Sequence, residues 1–176
     1  MDLNNSTTPE AERDLAQTPQ WFVDAVEQHF GIKFELDACC LIATAKCEAF
    51  YSLADHGVDS LTVPWGRINW CNPPYSDITP WIEKATNEAS RGNVSFLLIP
   101  DKPEVGYTRR CRKYGDTIIH MPHRLNFLKP DGTEFLDNEN KKQGPKFPVA
   151  LVLFTPWGLT MPVRDVYIDF RKVGIN

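Results

Sequence analysis

The apolar positions of this chain fall into short runs separated by stripes of helical period. Residues 68–71 (INWC), 94–99 (VSFLLI), 117–120 (TIIH) and 148–154 (PVALVLF) are compact apolar runs bounded by turn formers, and 32–36 (IKFEL) is a shorter one. Such runs read as buried strands, and the continuous VSFLLI suits the middle of a parallel sheet. Between them lie helices. Thr18 is a good cap with Pro19 at the first helical position, and Phe22, Val23, Val26 and Phe30 form a buried stripe that ends at Gly31. Thr79 and Pro80 open a second helix whose stripe is Ile82, Ala85 and Ala89, closed by Arg91-Gly92-Asn93. Residues 104–114 predict a basic helix and 44–50 a short one, whereas Asp55-His56-Gly57 and Asp59-Ser60 are turn formers. Lys129-Pro130-Asp131-Gly132-Thr133 reads as a hairpin turn.

This alternation predicts an α/β fold with a mostly parallel sheet and an antiparallel hairpin at one edge. Only 35 residues separate Asp37 from Asn72, too few for two full β–α units, so the sheet is expected to be trimmed by a strand. Residues 1–16 are polar and aperiodic, a flexible arm, with one domain over 17–176. No second domain or repeat is visible, and 137–146 (DNENKKQGPK) reads as a mobile polar loop.

The chemistry concentrates where the run Ile68-Asn69-Trp70-Cys71 stops at Asn72-Pro73-Pro74-Tyr75. Two prolines lack N–H groups, and each pushes the preceding residue out of the helical region. A stiff turn results at the carboxyl end of a strand, where open α/β sheets bind ligands. It suits methyl transfer to a planar amine. The lone pair of such an amine is delocalised into its ring. Two acceptors aimed at its hydrogens, the Asn72 side-chain oxygen and the Pro73 carbonyl, return electron density to nitrogen as fixed dipoles. Tyr75 would stack on the ring. The bland alternative is a rigid strand-to-helix turn. Asp37, at the end of an earlier strand, fits either a ribose diol or an ammonium group, or else a helix cap.

Composition narrows the classes. With 176 residues, 42% hydrophobic and 24% charged, the chain suits one globular domain. No apolar run reaches the roughly 20 residues of a membrane span. The polar start Met1-Asp2-Leu3 does not read as a signal peptide, so a cytoplasmic protein is the default expectation. Five cysteines without a C-x-x-C pair argue against a disulfide framework, and Cys111, His120 and His123 match no standard zinc spacing, so no metal is expected. The net charge is −4, against non-specific coating of nucleic acid, yet it is uneven. Residues 1–60 carry eleven acids and three bases, a net −8; residues 102–129 carry seven bases and two acids, a net +5. A basic half beside an acidic one is the footprint of an enzyme meeting DNA on one side, or simply a solvated charged helix. Lys102, Arg109, Arg110, Lys141 and Lys142 are the candidate phosphate contacts. Arg124 can grip a phosphate and Phe127 stack on a base, or they are a surface residue and a core residue.

Thr18-Pro19-Gln20-Trp21-Phe22, Phe34-Glu35-Leu36-Asp37-Ala38-Cys39, Asp59-Ser60-Leu61 with Pro64-Trp65, Asn72-Pro73-Pro74-Tyr75 and His123-Arg124-Leu125-Asn126-Phe127 stand in the order of one family. Over about residues 17–155 the chain resembles the small phage and prophage DNA N6-adenine methyltransferases. The resemblance implies a Rossmann-like class I fold, S-adenosylmethionine as cofactor, and double-stranded DNA as partner. It implies a catalytic Asn72-Pro73-Pro74-Tyr75 turn, with Thr18, Trp21, Asp37, Asp59 and Asn72 near the cofactor. It also implies an extruded adenine and a role in shielding viral DNA from restriction. The chain departs from the wider methyltransferase pattern in having Ala38-Cys39-Cys40 where a glycine-rich loop is common. Similar turns serve RNA-base, cytosine-N4 and protein-glutamine methyltransferases, though cytosine enzymes more often carry serine at the first position. A catalytically silent DNA-binding module and a structural protein with a stiff turn are the rivals from other classes.

Overall fold

The computed structural model describes residues 14–136, 141–142 and 147–174. Six strands form one sheet: β1 (Leu36–Asp37), β2 (Ile68–Cys71), β3 (Val94–Pro100), β4 (Thr117–His120), β5 (Val149–Phe154) and β6 (Arg164–Tyr167). Their order is β1-β2-β3-β5-β4-β6. β1, β2 and β3 are parallel neighbours, β4 and β6 are parallel, and β5 runs antiparallel to both β3 and β4. Five strands therefore share one direction and β5 alone is reversed. The helices are α1 (Gln20–Phe30), the one-turn α2 (Leu53–His56), α3 (Thr79–Ser90) and α4 (Gly106–Tyr114), with 3₁₀ turns at Ile42–Thr44 and Phe170–Lys172.

Both faces of the central strands β3, β5 and β4 are buried, as their continuous apolar runs require. Along β3, Leu97 and Ile99 pack with Ile82, Ala85 and Ala89 of α3 and with Cys111 of α4. Phe96 and Leu98 point the other way, onto Phe22, Val23 and Val26 of α1. Trp70 of β2 is 1% exposed and meets Phe34 and Phe22 at ring separations of 5.4 and 6.3 Å. Asn69 fixes the start of β2: its Nδ2 donates to the Gly66 carbonyl at 2.8 Å and the Val94 carbonyl at 3.0 Å. The turn that follows β2 is thus carried by a strand pinned on both faces.

Several sequence expectations are corrected. Thr18 does not cap α1; Pro19 holds that position and the Thr18 hydroxyl has no partner among the described residues. The strand over 32–36 shrinks to Leu36–Asp37. Its predicted donors go back to α1: Ile32 N–H to the Glu27 carbonyl at 3.0 Å, Phe34 N–H to the Glu27 carboxylate at 2.8 Å. No helix forms over 45–50. That segment runs beside β1, with Asp37 N–H bonded to the Ala49 carbonyl and Tyr51 N–H to the Asp37 carbonyl. Residues 53–56 form a helical turn instead of a loop, capped by Ser52 and stopped by Gly57 at φ 67°. The antiparallel strand lies inside the sheet, not at its edge. Among the described residues the 129–133 turn joins the isolated bridge Leu128–Glu134, outside that sheet. No strand intervenes between β1 and β2, in keeping with the short spacing. Most of the polar loop 137–146 lies outside the described residues. Among the described residues no helix is long and apolar enough to cross a membrane.

Candidate active site

A cleft of about 250 Å³ opens at the carboxyl ends of β1 and β2. Asp37, Thr18, Asp59, Asn72 and Pro74 line it, as does Lys46. The prolines do locally what their chemistry dictates. β2 ends at Cys71, Pro73 is buried, and the chain turns into α3, where Pro80 occupies the first turn.

Among the described residues the Asn72 side chain is held by one hydrogen bond: Nδ2 donates to the Ala16 carbonyl at 3.0 Å. Its Oδ1 is buried and has no partner among the described residues. A buried acceptor without a donor is uncommon and calls for an explanation, and a ligand N–H supplies one. The Thr18 hydroxyl, 1% exposed, is a second such group on the cleft wall. The Tyr75 hydroxyl is a third orphan, beside the turn. Burial holds the Tyr75 phenol well above its ordinary pKa, so it stays protonated.

Asp37 is 2% exposed. Its carboxylate accepts from Cys39 N–H at 3.2 Å and Lys46 N–H at 3.0 Å. Burial pushes its pKa up to about 7 against the lowering effect of those bonds and of the Lys46 charge. Lys46 Nζ donates to Gln17 Oε1 at 2.9 Å, and burial lowers its own pKa despite Asp37. Burial also raises the Cys39 thiol to about 12 and the Cys40 thiol higher still, so neither is a thiolate nucleophile at neutral pH. Asp59 forms an Asx turn, accepting from Leu61 N–H at 3.0 Å.

Tyr75 sits in an aromatic group. Its ring meets Phe127 edge-on at 6.0 Å and Phe147 at 6.0 Å, and Lys102 Nζ lies 5.1 Å from the Phe147 ring centre. Phe127 is thereby brought to the turn and Lys102 to the adjoining Phe147, a neighbour that the sequence reading missed. Trp21 is not brought in: it is 47% exposed, on the outer side of α1, and does not line the cleft. Arg124 is exposed two residues before Asn126. Arg109 and Arg110 are exposed on α4, where Arg110 pairs with Glu83 at 2.8 Å. Lys141 and Lys142 are exposed, the latter 2.7 Å from Glu134. Lys46 and Ala16 were also missed. A lysine nine residues beyond Asp37 carries no motif, and a backbone carbonyl leaves no trace in side-chain identity.

Residues 14–16, assigned to the arm by their composition, cross the turn. Asp14 accepts from Ser76 N–H at 3.2 Å and from the Ser76 hydroxyl. Gln17 bridges Leu128 through both backbone groups at 2.8 and 3.0 Å. Among the described residues no three His, Cys, Asp or Glu side chains converge as a metal site.

Known sequences give the site its family. A family model described as DNA N-6-adenine-methyltransferase (Dam) matches residues 5–163. The DNA N-6-adenine-methyltransferase of Haemophilus phage HP1 is 29% identical over 174 residues, 97% of this chain and 95% of the phage protein. That of Escherichia phage T1 is 30% identical over 142 residues, 79% of this chain and 55% of the phage protein. These matches bear out the resemblance carried by the ordered sequence elements, and the chain belongs to the DNA N-6-adenine-methyltransferase family.

Proposed function

We propose that this protein methylates the exocyclic N6 amine of adenine in double-stranded DNA, using S-adenosylmethionine, with the base extruded onto the Asn72–Tyr75 turn. The observation that carries this reading is the buried, unpartnered Oδ1 of Asn72 beside a cleft at the carboxyl ends of β1 and β2. An amine N–H is the donor that satisfies it. N6 is engaged in pairing inside a duplex, so the adenine has to leave the stack to reach this acceptor.

The cleft's groups fit the cofactor. Asp37 offers a buried carboxylate to hydroxyls or an ammonium, Thr18 an orphaned hydroxyl, Asp59 a further acid, and Lys46 a cation for a carboxylate. When bound, S-adenosylmethionine supplies an electrophilic methyl group. The protein's part is positional. Asn72 Oδ1 and the Pro73 carbonyl accept the two amine hydrogens, drawing the lone pair back from the ring. The wall of Tyr75, Phe127 and Phe147 keeps water from the apolar face of the base. No side chain need act as base, since the amine proton leaves to water after transfer. Arg124, Lys102, Arg109, Arg110, Lys141 and Lys142 are read as the phosphate-facing set. The sheet is read as a Rossmann-like class I methyltransferase sheet, supported by five co-directional strands around the single reversed β5. Action in the cytoplasm of a bacterial host, protecting viral DNA from restriction, belongs to the same proposal.

The test offers unmethylated duplex DNA, structured RNA and a glutamine-containing peptide together with labelled S-adenosylmethionine. Label confined to DNA is expected. Label in RNA or peptide would replace the substrate, and DNA binding without transfer would make the protein a silent module.

A further inference from the structure

The segment 14–18 does more than wall the cleft. We propose that Ala16 is a positioning residue: its carbonyl orients the Asn72 side chain, and this contact is what requires an amide at position 72. The proposal rests on the functional reading above and adds a residue to it.

A carbonyl oxygen can only accept, so the group facing Ala16 at 3.0 Å is the Asn72 NH₂. The amide is planar, and its oxygen therefore points the other way, to the buried position without a partner. One bond thus decides which end of the amide meets the substrate. The segment is itself held on both sides of Ala16. Asp14 takes both Ser76 donors, and Gln17 is fixed by its bridge to Leu128, by Nε2 bonds to the Lys129 and Pro130 carbonyls at 2.9 and 3.2 Å, and by Lys46. A carbonyl so held cannot retreat from a poorly matched neighbour.

Asn72→Asp is the discriminating change because it keeps shape and acceptor but removes the donor. An ionised carboxylate would face the Ala16 carbonyl oxygen at the distance of a hydrogen bond. A protonated one would donate to it and leave its C=O toward the amine. The other titratable groups on the cleft wall are Asp14 on the segment, Asp37 at the end of β1, Asp59 and Lys46 on the loops before β2, the thiols Cys39 and Cys40, and the Tyr51 phenol; Tyr75 follows on the turn. Three acids against one lysine add to the pressure toward the neutral form.

The experiment measures methyl transfer at saturating DNA and cofactor for the wild-type chain and Asn72→Asp between pH 6 and 8. The ratio at each pH removes titration common to both, including that of Asp37. The variant is expected to lag about a hundredfold at pH 8 and to recover about tenfold toward pH 6. A ratio flat with pH overturns the proposal. Carbon-13 NMR of the introduced carboxyl reads the same contact without activity. A pKa well above the ordinary value of about 3.9 is expected, and an ordinary value overturns the proposal. Asp14→Ala, which unties the segment, is expected to lower turnover about tenfold in the wild-type background yet raise it in Asn72→Asp. Equal losses in both backgrounds, or no loss in the wild type, overturn it. A wild-type chain that transfers nothing to DNA refutes the underlying functional reading, and the NMR titration still tests the Ala16 contact, since an ordinary pKa excludes it.

Discussion

The pH dependence of cofactor binding should report on Asp37. This carboxyl is 2% exposed, and burial places its pKa near 7. Its two bonds to backbone N–H groups and the Lys46 charge reduce that rise without cancelling it. A ligand that donates hydroxyls or an ammonium to Asp37 needs the ionised form. Binding of S-adenosylhomocysteine, the product that the proposed reaction would leave, should therefore weaken as pH falls through about 7. With only the ionised form competent, the dissociation constant scales as one plus the protonated-to-ionised ratio, about 11 at pH 6 and about 1.1 at pH 8. Affinity should fall about tenfold over that interval, about 1.4 kcal/mol. Stability without ligand runs oppositely. The folded pKa lies above the unfolded value near 3.9, so the neutral form favours folding, and stability drops by about 4 kcal/mol as pH rises from 4 to 7 and beyond. Titration calorimetry at pH 6, 7 and 8, repeated on Asp37→Asn, checks this. The variant should bind more weakly with no slope. A flat wild-type profile, or the same slope in the variant, would refute the assignment.

Three further outcomes are expected. His120 lies between Asp101 at 2.6 Å and Asp165 at 2.9 Å; burial works to lower its pKa, but the two carboxylates together raise it. Its contribution to stability should be complete below about pH 6.5 and fade as pH climbs through the raised value, and chemical denaturation of His120→Ala should lack that component. Lys84→Ala strips a buried partner 2.6 Å from Glu88, leaving Arg91 and Asn93; a loss of about 3 kcal/mol in denaturant titration is expected. Phe147→Ala opens the wall beside Tyr75 and should raise the KM for DNA about tenfold while leaving S-adenosylhomocysteine affinity unchanged by calorimetry.

Much of this architecture was legible in the chain. The runs at 68–71, 94–99, 117–120 and 148–154 became strands because their side chains pack on both faces of the sheet, a constraint that shows as continuous apolarity. Strand direction does not show that way, and the reversed β5 looks in sequence like its parallel neighbours. β6 escaped notice because Arg164–Tyr167 is an edge strand with only Val166 half-buried among exposed residues. The failed helix at 44–50 traces to Asp37, whose carboxylate and backbone capture donors and acceptors from 46, 49 and 51. The placement of Asn72 and Tyr75 on a turn at the end of β2 was readable because two prolines after a strand leave few conformations. Ala16, Lys46 and Phe147 reach the site from 56, 26 and 75 residues away in the chain, through contacts that no local pattern encodes.

The most direct test digests labelled DNA to nucleosides after reaction with the wild-type chain and with Asn72→Ala. Label in N6-methyladenine is expected, reduced about a hundredfold or more by the substitution. The variant's melting temperature should change little, because the lost Ala16 bond is offset by removing an unpartnered buried acceptor. Label in N4-methylcytosine, or full activity in Asn72→Ala, would contradict the proposed function.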